Sequence, residues 1–260
     1  MLTTVAGYRA ITGNLDRSLE NAASEPVVAR QSARFLERIE KVKSIDDFLA
    51  DDTVYSYAMK AFGLEEMTFA RAFMRKVLTE GVGTSDTFAN SLADTRYREF
   101  AQVFNFAEFG ETTTVFDRTR QGTVDRYVRQ TLEEDAGNQS EGLRLALYFA
   151  RKAPRASNVF ELLGDRAMLT VVQTGLGIPA AASSLDIDKQ AAQISAQLDI
   201  EDFSDPEKLD TFLHRFSTLW DLQNPSSSTT VPNIIIGGPR IFGIDAGLLQ
   251  SIQGLRFGGN

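Results

Sequence analysis

Apolar residues recur along most of this chain at intervals of three and four, the period of an amphipathic helix. In residues 1–43 the stripe runs through Leu15, Leu19 and Ala22, then Val27 or Val28, Phe35 and Ile39. It predicts two helices broken near Ser24-Glu25-Pro26, with Pro26 in the first turn of the second, where a missing N–H costs nothing. Ser44-Ile45-Asp46-Asp47 carries a helix-start signature ahead of Phe48. Val54, Ala58 and Ala61 or Phe62 mark the next face, and Gly63 is placed to stop it. Met67, Ala70, Phe73, Met74, Val77 and Leu78 form a clean stripe that Gly81-Val82-Gly83 ends. Helical spacing returns at 86–92, 95–106, from Val124 to Leu132, at 143–149, 159–176 and 187–198. The last predicted helix opens at Asp205 as cap with Pro206 at its first position, and buries Leu209, Phe212, Leu213, Phe216, Leu219 and Trp220. Residues 107–122 and 179–184 lack a period and are predicted loops. The expected fold class is all-α, with ten or so helices.

A shift of 114 residues aligns two stretches without a gap. Arg30 falls on Arg144, Phe35 on Phe149, Leu49 on Leu163, Asp51 on Asp165 and Gly63 on Gly177. Farther on, Phe100-x-x-x-Phe104-x-Phe106 matches Phe216-x-x-x-Trp220-x-Leu222. Residues of about 14–106 and 127–222 therefore read as two copies of one helical unit, packed together because neither buries its apolar face alone. In the recurring Leu-x-Asp, Asp51 or Asp52 and Asp165 are expected to accept the free amides of the helix that follows.

Composition removes many chemistries. The 260 residues hold no cysteine and one histidine, His214. Disulfides, cysteine-ligated metals, a cysteine nucleophile and a two-histidine metal site are all excluded. The formal charge of −8 argues against general nucleic-acid binding. No apolar run is long enough to span a bilayer. Arg9, Asp16, Arg17 and Glu20 break any signal-peptide core, so the expected location is the cytoplasm or export without a cleaved signal.

The remaining motifs are weak. Asp186-x-Asp188 starts like a calcium loop but has Ala191 at the turn and Gln197 at the twelfth position. Gly175-Leu-Gly177 and Gly237-Gly238-Pro239-Arg240 match no nucleotide-binding loop. His214 falls at the border or exposed side of its helix. Asp46-Asp47, Glu65-Glu66 and Glu133-Glu134-Asp135 read as solvated faces, since helix neighbours point about 100° apart. Arg118, Arg120, Arg126 and Arg129 make a locally basic segment, suited to solvent or to an acidic partner surface. No metal or cofactor is expected.

The end of the chain differs in kind. The helical domain is expected over 1–222, a Ser/Thr/Pro-rich linker over 223–232 and an arm over 233–260. Its candidate partner-binding residues are Ile234, Ile235, Ile236, Phe242, Leu248, Leu249, Ile252 and Leu255, which dock on the domain, on another protein or on a second copy of the chain.

Val42–Asp52, Tyr57–Leu64, Phe73–Gly81, Val124–Glu134 and Gly142–Lys152 carry a further signal. Over about residues 8–222 the chain resembles a bacterial family of unknown function, domain-of-unknown-function number 1217, found mainly in alphaproteobacteria. Its genes often lie among flagellar genes. The resemblance carries over no catalytic residue. It implies a role in flagellum structure or assembly, acting by protein–protein contact, with an adaptor or export chaperone for a flagellar protein as the alternative. An enzyme using carboxylates in a cleft between the halves is a third reading, and it requires acids such as Glu134 or Asp165 to converge in a pocket.

Overall fold

A computed structural model describes residues 3–225, and every described element is helical. The first half of the chain holds α1 (Thr4–Thr12), α2 (Leu15–Ser24), α3 (Pro26–Ile39), α4 (Ile45–Ala50), α5 (Asp52–Ala61), α6 (Arg71–Glu80), α7 (Phe88–Ser91), α8 (Thr95–Val103) and α9 (Phe106–Phe109). The second holds α10 (Gln121–Gln139), α11 (Glu141–Lys152), α12 (Val159–Gly164), α13 (Arg166–Leu176), α14 (Ile187–Ser195) and α15 (Pro206–Gln223). Among the described residues no helix is long and apolar enough to cross a membrane. Of the expected linker over 223–232, Gln223 is the last residue of α15 and residues 226–232 lie outside the described residues, as does the whole arm over 233–260.

The punctuation follows side-chain chemistry. Ser44 accepts the Asp47 amide at 3.1 Å and starts α4. Asp51 Oδ1 accepts from Thr53 and Val54, and Asp165 Oδ1 from Ala167 and Met168, so each caps the helix after it. Asp52 is not a cap: it is the first residue of α5 and pairs with Arg71. Asp205 caps α15 with Pro206 behind it, and Pro26 opens α3.

Several boundaries differ from the spacing alone, among them 159–176, which Asp165 divides into α12 and α13. The N-terminal segment forms three helices, because Asn14 accepts the Arg17 amide at 3.1 Å and restarts the chain after Gly13. Residues 95–106 divide at Phe104-Asn105, where Asn105 caps α9. The predicted loop 107–122 begins with the end of α9, continues as 3₁₀ turns over 110–115 and 117–119, and runs into α10. Its threonine hydroxyls take over the backbone work: Thr113 donates to the Gly110 carbonyl, Thr114 to Val42 and Thr119 to Thr113, all at 2.8–2.9 Å. The predicted loop at 179–184 likewise holds a 3₁₀ turn.

Two apolar clusters form the interior. One gathers Phe35, Phe48, Tyr55, Phe100 and Phe104 with other side chains of residues 22–128. Phe48 sits at its centre, against the rings of Tyr55, Phe100, Phe104 and Phe106. Phe35, Tyr57 and Tyr127 stack in a column, with centroids 4.4 and 3.9 Å apart. The other cluster is richer in aliphatics and gathers Leu143, Leu147, Phe149, Leu162, Val171, Val172, Leu213 and Phe216. It also takes in Tyr8, because α1 packs on α11 and α15; there Thr4 N donates to Asp221 Oδ1 at 3.1 Å. Helix α10 belongs to both, giving Val124, Tyr127 and Val128 to the first cluster and Ala136 to the second.

The 114-residue offset reappears in backbone geometry. It carries Ile45–Ala50 onto Val159–Gly164, and the start of α5 onto the start of α13. Gly63 and Gly177 adopt φ of 68° and 72°. After each, the next amide donates back five residues at 2.8 Å: Leu64 to the Met59 carbonyl and Ile178 to Gln173. This left-handed C-terminal stop requires glycine's freedom at positive φ.

Candidate functional site

Helix α10 departs from ordinary amphipathicity. Val124, Tyr127, Val128 and Ala136 are buried, while Gly122, Asp125, Arg126, Arg129, Gln130, Glu133 and Glu134 recur at helical spacing along another face. That polar face forms one side of a cleft of about 1100 Å³. Further lining comes from the end of α5 and the turn after it (residues 61–67) and from Asp94, Arg96 and Glu99 at the start of α8. The rest comes from α11, Arg155, Gly164, the start of α13 and Trp220 of α15.

Ion pairs fill much of this cleft. Glu133 is only 2% exposed and is the buried hub: Arg151 grips both its oxygens at 2.7 Å, and Arg129 Nε donates at 3.1 Å. Burial works against the Arg151 charge, but Glu133 more than offsets it and holds the guanidinium above its ordinary pKa. Lys60 reaches Glu134 at 2.7 Å, and this pair likewise outweighs burial and raises the lysine. Arg96 binds Asp94 at 2.7 Å and also donates to the Gly63 carbonyl. Burial raises Asp94, yet the Arg96 hydrogen bonds win and lower it. Lys152 pairs with Glu99, joining α11 to α8. Burial nonetheless pushes this lysine below its ordinary value, with neighbouring Arg151 adding to the effect. Tyr148 donates to Asp165 Oδ2 at 2.5 Å, and burial followed by the Asp165 charge raises the phenol.

The expectation of solvated acids fails at Glu133, and Glu134 is half-buried and paired. Asp46, Asp47, Glu65, Glu66 and Asp135 are exposed. Glu133's position is explained by Arg129 one turn before it and Arg151 eighteen residues after it. The first was visible as an i, i+4 pair, whereas the second needed the α10–α11 hairpin. Glu134 and Asp165, the acids singled out for an inter-repeat cleft, do line it. Each is already engaged, by Lys60 and by Tyr148 plus two amides respectively.

The basic segment separates. Arg118 stacks on Phe109 and Phe116, and Arg120 pairs with Glu40, whereas Arg126 and Arg129 face the cleft. Sequence reasoning did not single out Arg151, Lys152 or Arg155. His214 is half-buried on α15, at the border where its spacing put it. Among the described residues, no three metal-ligating side chains gather. The candidate partner-binding residues Ile234, Ile235, Ile236, Phe242, Leu248, Leu249, Ile252 and Leu255 lie outside the described residues.

Comparison with known proteins agrees with the helical architecture. The chain is similar to a protein from Agrobacterium tumefaciens whose X-ray crystal structure was determined by a structural genomics consortium: 43% identity, 86% of this chain and 98% of that one covered, TM-score 0.80. Among curated proteins nothing matches. The model of the family described as "Protein of unknown function (DUF1217)" matches residues 61–209, a span that holds nearly all of the cleft. This chain belongs to that family.

Proposed function

We propose that the protein catalyses no reaction and works by protein–protein contact in flagellum structure or assembly. The observation that carries the non-enzymatic part is the state of the cleft carboxylates. Of the nine lining carboxylates, Asp94, Glu99, Glu133, Glu134 and Glu141 are each bound to a cation and Asp165 accepts from a phenol and two amides, while Glu65, Glu66 and Asp125 sit at the lining without an ion pair among the described residues. Carboxylate oxygens taken up by fixed donors are not free to reach a substrate proton or a reacting atom. Exposed apolar side chains support the contact reading: Phe69 is 80% exposed and Leu222, near the end of α15, is 73% exposed. The flagellar setting rests on the family resemblance and the gene neighbourhood it implies.

An in-frame deletion, complemented in trans, tests the setting. Loss of flagella or of motility, restored by the intact gene, is the expected result. Normal flagellar number and swimming in the deletion strain would overturn it. Recovery of the protein in purified flagella would favour a structural part over an adaptor or export chaperone.

Descent of the two halves from one duplicated unit belongs to the same proposal, supported by the shared offset of α4–α5 and α12–α13. Alignments of relatives, built separately for residues 30–64 and 144–178, should match each other at that offset. Absence of any such match would contradict it.

A further inference from the structure

Where α10 faces the end of α11, the cleft holds more cations than the carboxylates beside them. Arg126, Arg129, Arg151, Lys152 and Arg155 line it there, with Glu99, Glu133, Asp125 and Asp165 as the acids that act on them. Glu133 is shared by Arg129 and Arg151, and Glu99 is taken by Lys152. Arg126 and Arg155 have no carboxylate within salt-bridge distance among the described residues. Arg126 is held only by the Gly122 carbonyl at 2.9 Å and by the Phe62 ring at 5.2 Å. Burial pushes its guanidinium below the ordinary value, and Arg155 and Arg151 add to the push while Glu99 and Asp125 oppose it without reversing it. Two half-buried cations, Arg126 and Lys152, are thus under-neutralised in a chain whose formal charge is −8. Ordinary surface solvation does not explain that placement, because a solvated arginine keeps its head in water.

We infer that the basin formed by Arg126, Arg151, Lys152 and Arg155 binds a multiply charged oxyanion of the phosphate class, free or as the ester group of a small molecule. Guanidinium forks match tetrahedral oxyanions through paired N–H donors, and the ammonium of Lys152 adds a point charge. A bound dianion would supply the neutralisation that Glu99, Glu133, Asp125 and Asp165 leave incomplete at Arg126 and Lys152. The cleft, at about 1100 Å³, is far larger than a phosphate, which leaves room for the body of an ester. Phe62, Leu145 and Tyr148 also line it and offer apolar contact for such a body. The inference is independent of any flagellar role.

Isothermal titration of the full chain in low-salt chloride buffer tests it, with inorganic phosphate, pyrophosphate and adenosine monophosphate as separate probes. At least one is expected to bind with a Kd below 1 mM, and the Arg126→Gln/Arg155→Gln double variant to bind it at least tenfold more weakly. Neither arginine forms an ion pair among the described residues, so the double variant should keep its circular dichroism and its melting temperature, and the comparison stays interpretable. Arg118→Gln, outside the cleft, should bind as the parent does. Tighter binding of adenosine monophosphate than of inorganic phosphate would identify an ester ligand, and the reverse order a free anion. No heat from any probe at 5 mM, or equal affinity in parent and double variant, would overturn the inference.

Discussion

The junctions α4–α5 and α12–α13 share a backbone plan and differ in what they do with it. Both turn at an aspartate that caps the following helix through the same pair of amides. At the first, the carboxylate also meets Arg38 on α3, a cation with half of its side chain in water. The position equivalent to Arg38, 114 residues on, is Lys152, and it does not repeat the contact. Lys152 crosses to Glu99 on α8, and Asp165 takes the Tyr148 hydroxyl instead. One junction is finished locally at the surface, whereas the other is wired into the cleft. Identical cap chemistry therefore leaves function open. The residues around the cap decide whether a junction is mere scaffold or part of a site.

The sharpest way to break the second wiring is at its hub. Glu133→Ala leaves Arg129 and Arg151 facing each other without their shared anion and should cost about 3 kcal/mol of stability, read by urea denaturation. The paired caps come next. Asp165→Ala removes a cap and the acceptor of a mostly buried phenol, for about 2 kcal/mol, against about 1 kcal/mol for Asp51→Ala, whose lost ion pair is solvent-screened. Equal losses at the two sites would erase the distinction between the junctions. Gly63→Ala and Gly177→Ala should each cost about 1 kcal/mol, because both impose positive φ on a residue with a Cβ. A large difference between them would show that the shared stop is not what matters there.

The smallest effect concerns pH. Arg96 holds Asp94 below its unfolded value despite burial. Its contribution to stability is thus present above the unfolded aspartate pKa, near 3.9, and fades as pH falls through the lower folded value. Asp94→Asn should flatten that acid limb while leaving the slope of stability with pH unchanged near neutrality. An unchanged acid limb would contradict the pairing.

Local chemistry was legible in the sequence and tertiary assembly was not. Ser44, Asp51, Asp165, Asp205, Pro26, Gly63 and Gly177 act within three or four residues of themselves, and their roles follow from helix ends alone. Asn14 was missed because the apolar stripe after it masks a cap that needs only one hydrogen bond. Of the cleft, the sequence marked only Glu134 and Asp165, for a different reason. The lining comes from residues 61 to 220, and a run such as Glu133-Glu134-Asp135 looks solvated until α11 brings Arg151 against it. Arg118, Arg120, Arg126 and Arg129 read as one basic segment, with no sign that the first two would turn to Phe109 and Glu40 while the others face the cleft.

The account rests on contact rather than catalysis. Its most direct test is affinity capture from motile cells with the tagged full chain, beside residues 1–224 alone, read by quantitative mass spectrometry against an untagged control. The account predicts enrichment of flagellar proteins by the full chain, lost on truncation if residues 233–260 make the contact and retained if the helical body does. Absence of any enriched flagellar protein with either chain would contradict it.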